Sequence, residues 1–148
     1  MPNWVYIFCN GLYHLGLALW IGGAVALGAL TAPALFRALP RPEAGAIFGP
    51  TLRRFARLRV GALLLIVGGA GTKFLLWETH ARTPWLALRW VAIAFLAVTL
   101  IYEIAFQEGA MGRAQAAGDT ARFGLLHRRA DGLMKASIGA ALLALFLS

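Results

Sequence analysis

His127, Asp131 and Lys135 are spaced i, i+4, i+8, which puts them on one face of a helix. Thr99, Glu103 and Gln107 repeat that spacing in a second apolar segment. If the two stripes face one another, they form a hydrated vestibule holding two carboxylates and a titratable histidine. A proton relay or cation entry would need such a set, and ionisable groups inside a bilayer are functional candidates by default. The structural alternative is a salt-bridge cluster, Asp131 with Lys135 and Glu103 with Arg57 or Arg59.

A second group comprises His14, Lys73 and Arg89, one on each of three apolar segments and roughly 8–12 Å to the other side of a bilayer midplane. One histidine with two cations suits an anionic ligand. It also suits a haem whose propionates meet Lys73 or Arg89 while His14 supplies an axial nitrogen, which makes His14 the candidate metal ligand. The alternative is that Lys73 and Arg89 snorkel to the headgroups while His14 bonds a neighbouring helix. Joint ligation by His14 and His127 is excluded by depth, since they fall in opposite leaflets, over ~15 Å apart. No Cys-x-x-Cys, Gly-x-Ser-x-Gly, His-Glu-x-x-His or Walker sequence occurs, and Cys9 is the lone cysteine. The chain contains no complete catalytic motif.

These residues need elements to hold them, and composition says which. Hydrophobic residues make up 60% of the 148 and charged residues 14%. A soluble domain has about 45–50% and about 25%. Apolar stretches at Trp4–Phe36, Leu58–Trp77, Trp85–Phe106 and Leu133–Leu147 predict an all-α, integral-membrane four-helix bundle. Residues 1–148 form a single domain with spans at about 8–34, 57–78, 85–107 and 130–148. The first stretch exceeds the ~20 residues that cross a bilayer, so it tilts, kinks near Pro33 or projects beyond the membrane. No Lys or Arg precedes it, which argues against a cleaved signal sequence.

The net charge of +8 would suggest nucleic acid elsewhere, but here the basic residues gather at the ends of apolar runs. Arg37, Arg41, Arg53, Arg54, Arg57 and Arg59 lie between the first two spans, and Arg113, Arg122, Arg128, Arg129 and Lys135 around the start of the fourth. The middle connection has Lys73, Arg82 and Arg89. The positive-inside rule then puts two arginine-rich loops in the cytoplasm and both termini outside, in the plasma (inner) membrane. The expected partners are the lipid bilayer and a second copy or a larger membrane complex, not nucleic acid.

Phe48-Gly49-x-x-x-Arg53-Arg54-x-x-x-Leu58 matches Phe123-Gly124-x-x-x-Arg128-Arg129-x-x-x-Leu133 without a gap. The match suggests a tandem repeat of two helical hairpins; short arginine-rich helix starts that merely look alike are the alternative. Small residues recur every fourth position, at Gly132, Ala136, Ala140 and Ala144 and along His14, Ala18, Gly22 and Ala26. Such stripes allow close helix approach and would turn His14 into the bundle.

His14-x5-Trp20-x-Gly22-Gly23, Ala32-Pro33-Ala34-Leu35-Phe36-Arg37-Ala38-Leu39-Pro40-Arg41 and Ala44-Gly45-x-x-Phe48-Gly49-Pro50 together resemble the transmembrane-protein-205-like family, a domain of unknown function. Phe123-x-x-Leu126-His127 looks like that family's last span. The resemblance implies the fold and no activity. His14, Trp20 and Gly22-Gly23 are also similar to the first helix of copper-resistance protein D and HemJ-type membrane proteins, with His14 one residue closer to the tryptophan. That second likeness implies a ligand role for His14.

Three functions follow as expectations. The first is a membrane protein handling an ion or small solute through the polar vestibule. The second is a haem- or metal-binding redox protein using His14. The third is an accessory or assembly subunit, or a homo-oligomer, with no ligand of its own.

Overall fold

The computed structural model describes residues 3–80 and 83–148; Arg82, counted above in the middle connection, lies outside them. Four helices account for nearly all of these residues: α1 (Asn3–Ala38), α2 (Arg41–Glu78), α3 (Pro84–Ala116) and α4 (Thr120–Phe146). The fold is all-α. Among the described residues, α1, α2 and α3 are long and apolar enough to cross a membrane, which supports a multi-pass membrane location. The N-terminal half of α4 carries Arg128, Arg129 and Asp131, Lys135 follows just past its midpoint, and the uncharged run begins only at Ala136.

The segments expected to be arginine-rich loops are helical. Only Leu39 and Pro40 separate α1 from α2, and a turn at Ala117–Asp119 separates α3 from α4. There Gly118 adopts φ +66°, and the Asp119 carboxylate accepts from the Arg122 N–H at 2.9 Å, capping α4. Arginine and alanine favour helix without contributing an apolar signal, so these extensions could not be seen by hydropathy. At ~1.5 Å per residue, α1 and α2 are over ~50 Å long, well beyond a ~30 Å hydrocarbon core. The surplus projects at the arginine-rich end.

Among the described residues, three wide π-type turns interrupt the helices, at Ala26–Thr31, Phe74–Glu78 and Glu103–Gln107. The first sits just before Pro33, which has no N–H to give and frees a carbonyl one turn back. A widened turn thus precedes the proline near which a kink is one expectation, and α1 continues to Ala38.

Each helix packs antiparallel on two neighbours, in the cyclic order α1, α2, α3, α4. The core is Tyr13, Leu17 and Trp20 of α1, Ala62, Ile66 and Ala70 of α2, Ile93, Leu96 and Leu100 of α3, and Ala141 and Ala144 of α4. The buried positions follow a 3-4 alternation. On α2 it runs Phe55, Arg59, Ala62, Ile66, Gly69, Lys73, the heptad seam of helices crossing at a shallow angle.

This period corrects the small-residue stripes. Ala18, Gly22 and Ala26 are exposed, as are Gly132 and Ala136. A four-residue step turns about 400°, so it precesses by ~40° each time and leaves the seam, whereas a seven-residue step drifts by only ~20°. Close approach falls instead at Gly16 and Gly69. A Cβ on Gly16 would lie 2.6 Å from the Ala62 carbonyl oxygen, and one on Gly69 would lie 2.5 Å from that of Cys9.

Gly69→Ala should therefore force α1 off α2 and cost about 1–3 kcal/mol. Gly68→Ala, with nothing within 4 Å of the added carbon, should stay within about 0.5 kcal/mol of the parent. Thermal unfolding in mild detergent separates the two; equal effects would contradict this packing.

Candidate functional site

Two polar layers interrupt the core, both built on the α2 seam. Arg59 and Lys73 are two heptads apart, so ~21 Å of helix separates them. A bilayer midplane halfway between them would put each ~10 Å from it, inside the hydrocarbon thickness.

Arg59 is only 2% exposed and touches all four helices. Its Nη2 donates to Glu103 Oε1 of α3 at 2.5 Å, and its Nη1 lies 3.7 Å from Met134 Sδ of α4. The guanidinium stacks on Trp20 of α1 and on Phe55, at 5.3 and 5.1 Å from the ring centroids. Trp20 in turn donates its indole N–H to Ser137 Oγ at 3.3 Å, and Ser137 donates to the Met134 carbonyl at 2.8 Å. A buried guanidinium requires a counter-charge and filled π faces, and this layer supplies both. Among the described residues the Arg59 Nε–H has no hydrogen-bond partner.

The remaining members of the two expected stripes separate. Thr99 is buried and donates to the Phe95 and Leu96 carbonyls of its own helix. Gln107 is buried, its Nε2 donating to the Leu126 carbonyl of α4 at 3.1 Å and its Oε1 unpartnered. Glu103, 27% exposed, binds Arg59. His127, Asp131 and Lys135 point away from the bundle. Asp131 and Lys135 pair at 2.6 Å with 56% and 72% of their side chains exposed, and His127 stacks on Phe123. The facing vestibule is therefore corrected: α4 turns Ser137, Ala141 and Ala144 inward, and its charged stripe faces outward. The pairs are those of the salt-bridge alternative.

The second layer gathers around Asn10, a residue that carries no charge to betray it. Lys73 is 1% exposed and donates to Asn10 Oδ1 at 2.7 Å, between the Tyr6 and Tyr13 rings at 5.1 and 5.8 Å from their centroids. The Asn10 carbonyl lies 2.8 Å from His14 Nδ1. His14 is half-buried, with its Nε2 3.1 Å from Ser148 Oγ. Arg89 pairs through both terminal nitrogens with Glu78, at the end of the π turn. Tyr13 donates to the Ala144 carbonyl at 2.6 Å. Lys73 and His14 thus share Asn10, whereas Arg89 is held separately. Lys73 and Arg89 are both buried in the bundle. Among the described residues no three His, Cys, Asp or Glu side chains converge as a metal site would require.

Residues 15–119 match a family described as a domain of unknown function, DUF4149, and the chain belongs to that family. The matched span contains Trp20, Arg59, Lys73, Glu78, Arg89 and Glu103; Met134 and Ser137 lie beyond it. No curated protein and no solved structure matches the chain, and no finding links it to copper-resistance protein D or HemJ-type proteins.

Glu103→Gln leaves a buried cation without its counter-charge and should cost about 3 kcal/mol. The double change Arg59→Met, Glu103→Leu, which leaves no orphaned charge, should recover at least half of that loss. Thermal unfolding of the two variants is the check. If the double variant proves the less stable, the pair is not the constraint described.

Proposed function

We propose that this member of the DUF4149 family is an accessory or assembly subunit of a membrane complex, acting through its outward helix faces. The observation that carries this reading is the fate of the Arg59 charge. It is engaged by Glu103, Met134, Trp20 and Phe55 from all four helices, so it fastens the bundle together instead of lining a path. The outward Asp131–Lys135 pair supports the same reading. Charged side chains exposed on a helix that is packed within a membrane bundle mark a face made for another polypeptide.

In this reading residues 1–148 form one four-span domain, α4 being the fourth span, with both termini outside the cell and the arginine-rich end in the cytoplasm of the plasma membrane. The two hairpins, α1–α2 and α3–α4, form a tandem repeat. Arg59 and Met134 are equivalent under the 75-residue offset of the sequence match, and they touch. The cyclic packing order puts α1 opposite α3 and α2 opposite α4, as an axis along the membrane normal would.

A second reading, the handling of an ion or small solute, is favoured by one observation. Glu103 is a partly exposed carboxylate at the first position of a π turn, a distortion frequent at functional sites. Its path would run between protomers, where the outward stripe of α4 could meet that of a second copy. Haem or metal at His14 has less support, because Asn10 and Ser148 already engage both ring nitrogens.

Extraction of the full chain from its native membrane in mild detergent tests the first reading. It should run as part of a complex larger than the 15.9 kDa protomer. Asp131→Leu with Lys135→Leu should release it while the melting temperature of the purified protein is held. A complex that survives the double change, or a parent that runs as a monomer, would sink the proposal. Flux in proteoliposomes that is abolished by Glu103→Gln would promote the second reading.

A further inference from the structure

At the arginine-rich end one local pattern lies within each of three different helices. A glycine is followed four residues later by an exposed arginine at Gly49 and Arg53 of α2, Gly109 and Arg113 of α3, and Gly124 and Arg128 of α4. In each pair the arginine lies back along its own helix over the glycine. Its Nη1 is 3.8, 3.4 and 4.0 Å, respectively, from where a glycine Cβ would be. That direction is the one helical side chains take, toward the N-terminus; a Cβ there would come into ordinary van der Waals contact with the guanidinium, and a branched side chain would crowd it.

The three pairs are also level. Arg59, Glu103 and Met134 touch and so define one plane. Arg53, Gly109 and Arg128 each lie six residues from their own member of that plane, and Gly49, Arg113 and Gly124 each lie ten. Although α3 runs opposite to α2 and α4, all three guanidinium groups therefore fall within ~9–15 Å of the plane. With the plane ~10 Å from the midplane, they lie ~19–25 Å out. That is the headgroup depth of a bilayer ~40–45 Å across.

Every exposed basic residue of this end beyond that plane is arginine; the two lysines of the chain are at 73 and 135. Either residue satisfies a charge rule for orientation. Only arginine offers a planar fork that matches two phosphate oxygens.

The geometry points to these three glycine–arginine pairs as binding sites for the phosphate of anionic phospholipid headgroups in the adjoining leaflet. Each glycine leaves room for its arginine to lie along the helix at headgroup level, and among the described residues none of the three guanidinium groups forms a salt bridge. The phosphodiester of phosphatidylglycerol has the charge and geometry to take it. This inference stands apart from the docking face on α4, which lies at a different depth along that helix.

The test is native mass spectrometry of the full chain in mild detergent, offered phosphatidylglycerol and phosphatidylcholine in equal amounts. The parent should retain phosphatidylglycerol with a preference of about tenfold or more. Arg53→Gln, Arg113→Gln and Arg128→Gln together should bring the ratio close to one. The corresponding triple lysine variant keeps every charge and should still lose most of the preference, as should Gly49→Val, Gly109→Val and Gly124→Val combined. Melting temperatures of the lysine variant and the parent should agree, separating lipid loss from unfolding. A parent without preference, or a lysine variant that keeps it in full, would overturn the inference. So would glycerol 3-phosphate displacing the lipid at equal concentration, which would assign the sites to a soluble phosphate compound.

Discussion

A guanidinium in the middle of four apolar helices must be neutralised, stacked and sealed, and the Arg59 layer answers each demand from a different helix. The charge meets Glu103 of α3, the flat faces meet Trp20 of α1 and Phe55 of α2, and the free edge meets Met134 of α4. Shifting any helix by one turn would leave one of these needs unmet. The interaction therefore acts as a register lock. Apolar contacts alone would be a poor substitute, because one leucine or alanine packs against lipid as readily as against another helix.

The lock requires the helices to be close, and closeness is set by what is missing. Gly16 and Gly69 bring the backbones of α1 and α2 together at two levels, and a two-residue link holds their ends. The Lys73 layer sits at the far end of the same seam, fastened to Asn10 and flanked by two tyrosines. Cations at both ends of one heptad seam, with Ala62, Ile66 and Gly69 between them, make α2 the helix around which the others are arranged.

Much of this was legible in the sequence. Four apolar stretches became four helices, and the pairing of Glu103 with Arg59 and of Asp131 with Lys135 stood among the readings of the charged residues. What misled was periodicity. Four-residue series such as His127, Asp131, Lys135 mark a shared helix face but do not say which way the face points. The 3-4 series through Phe55, Arg59, Ala62, Ile66, Gly69 and Lys73 carries that information, and two of its members are cations that hydropathy assigns to the surface. Asn10, Ser137 and Met134 escaped notice because an uncharged side chain in an apolar run looks like filler until its partner is placed. The helical extensions escaped because arginine and alanine give helix propensity without hydrophobic signal.

One consequence follows from the unequal apolar lengths of helices that share one bundle. α4 lies along α1, with Ser137 beside Trp20 and Ala144 beside Tyr13, so the same bilayer must meet both. Yet the uncharged run of α4 from Ala136 to Leu147 covers only ~18 Å, while α1 offers more than ~30 Å without a charge. Lipids along α4 must therefore shorten or tilt, and those along α1 need not. In a bilayer that meets both helices the protein would present a thick wall on one side and a thin one on the other.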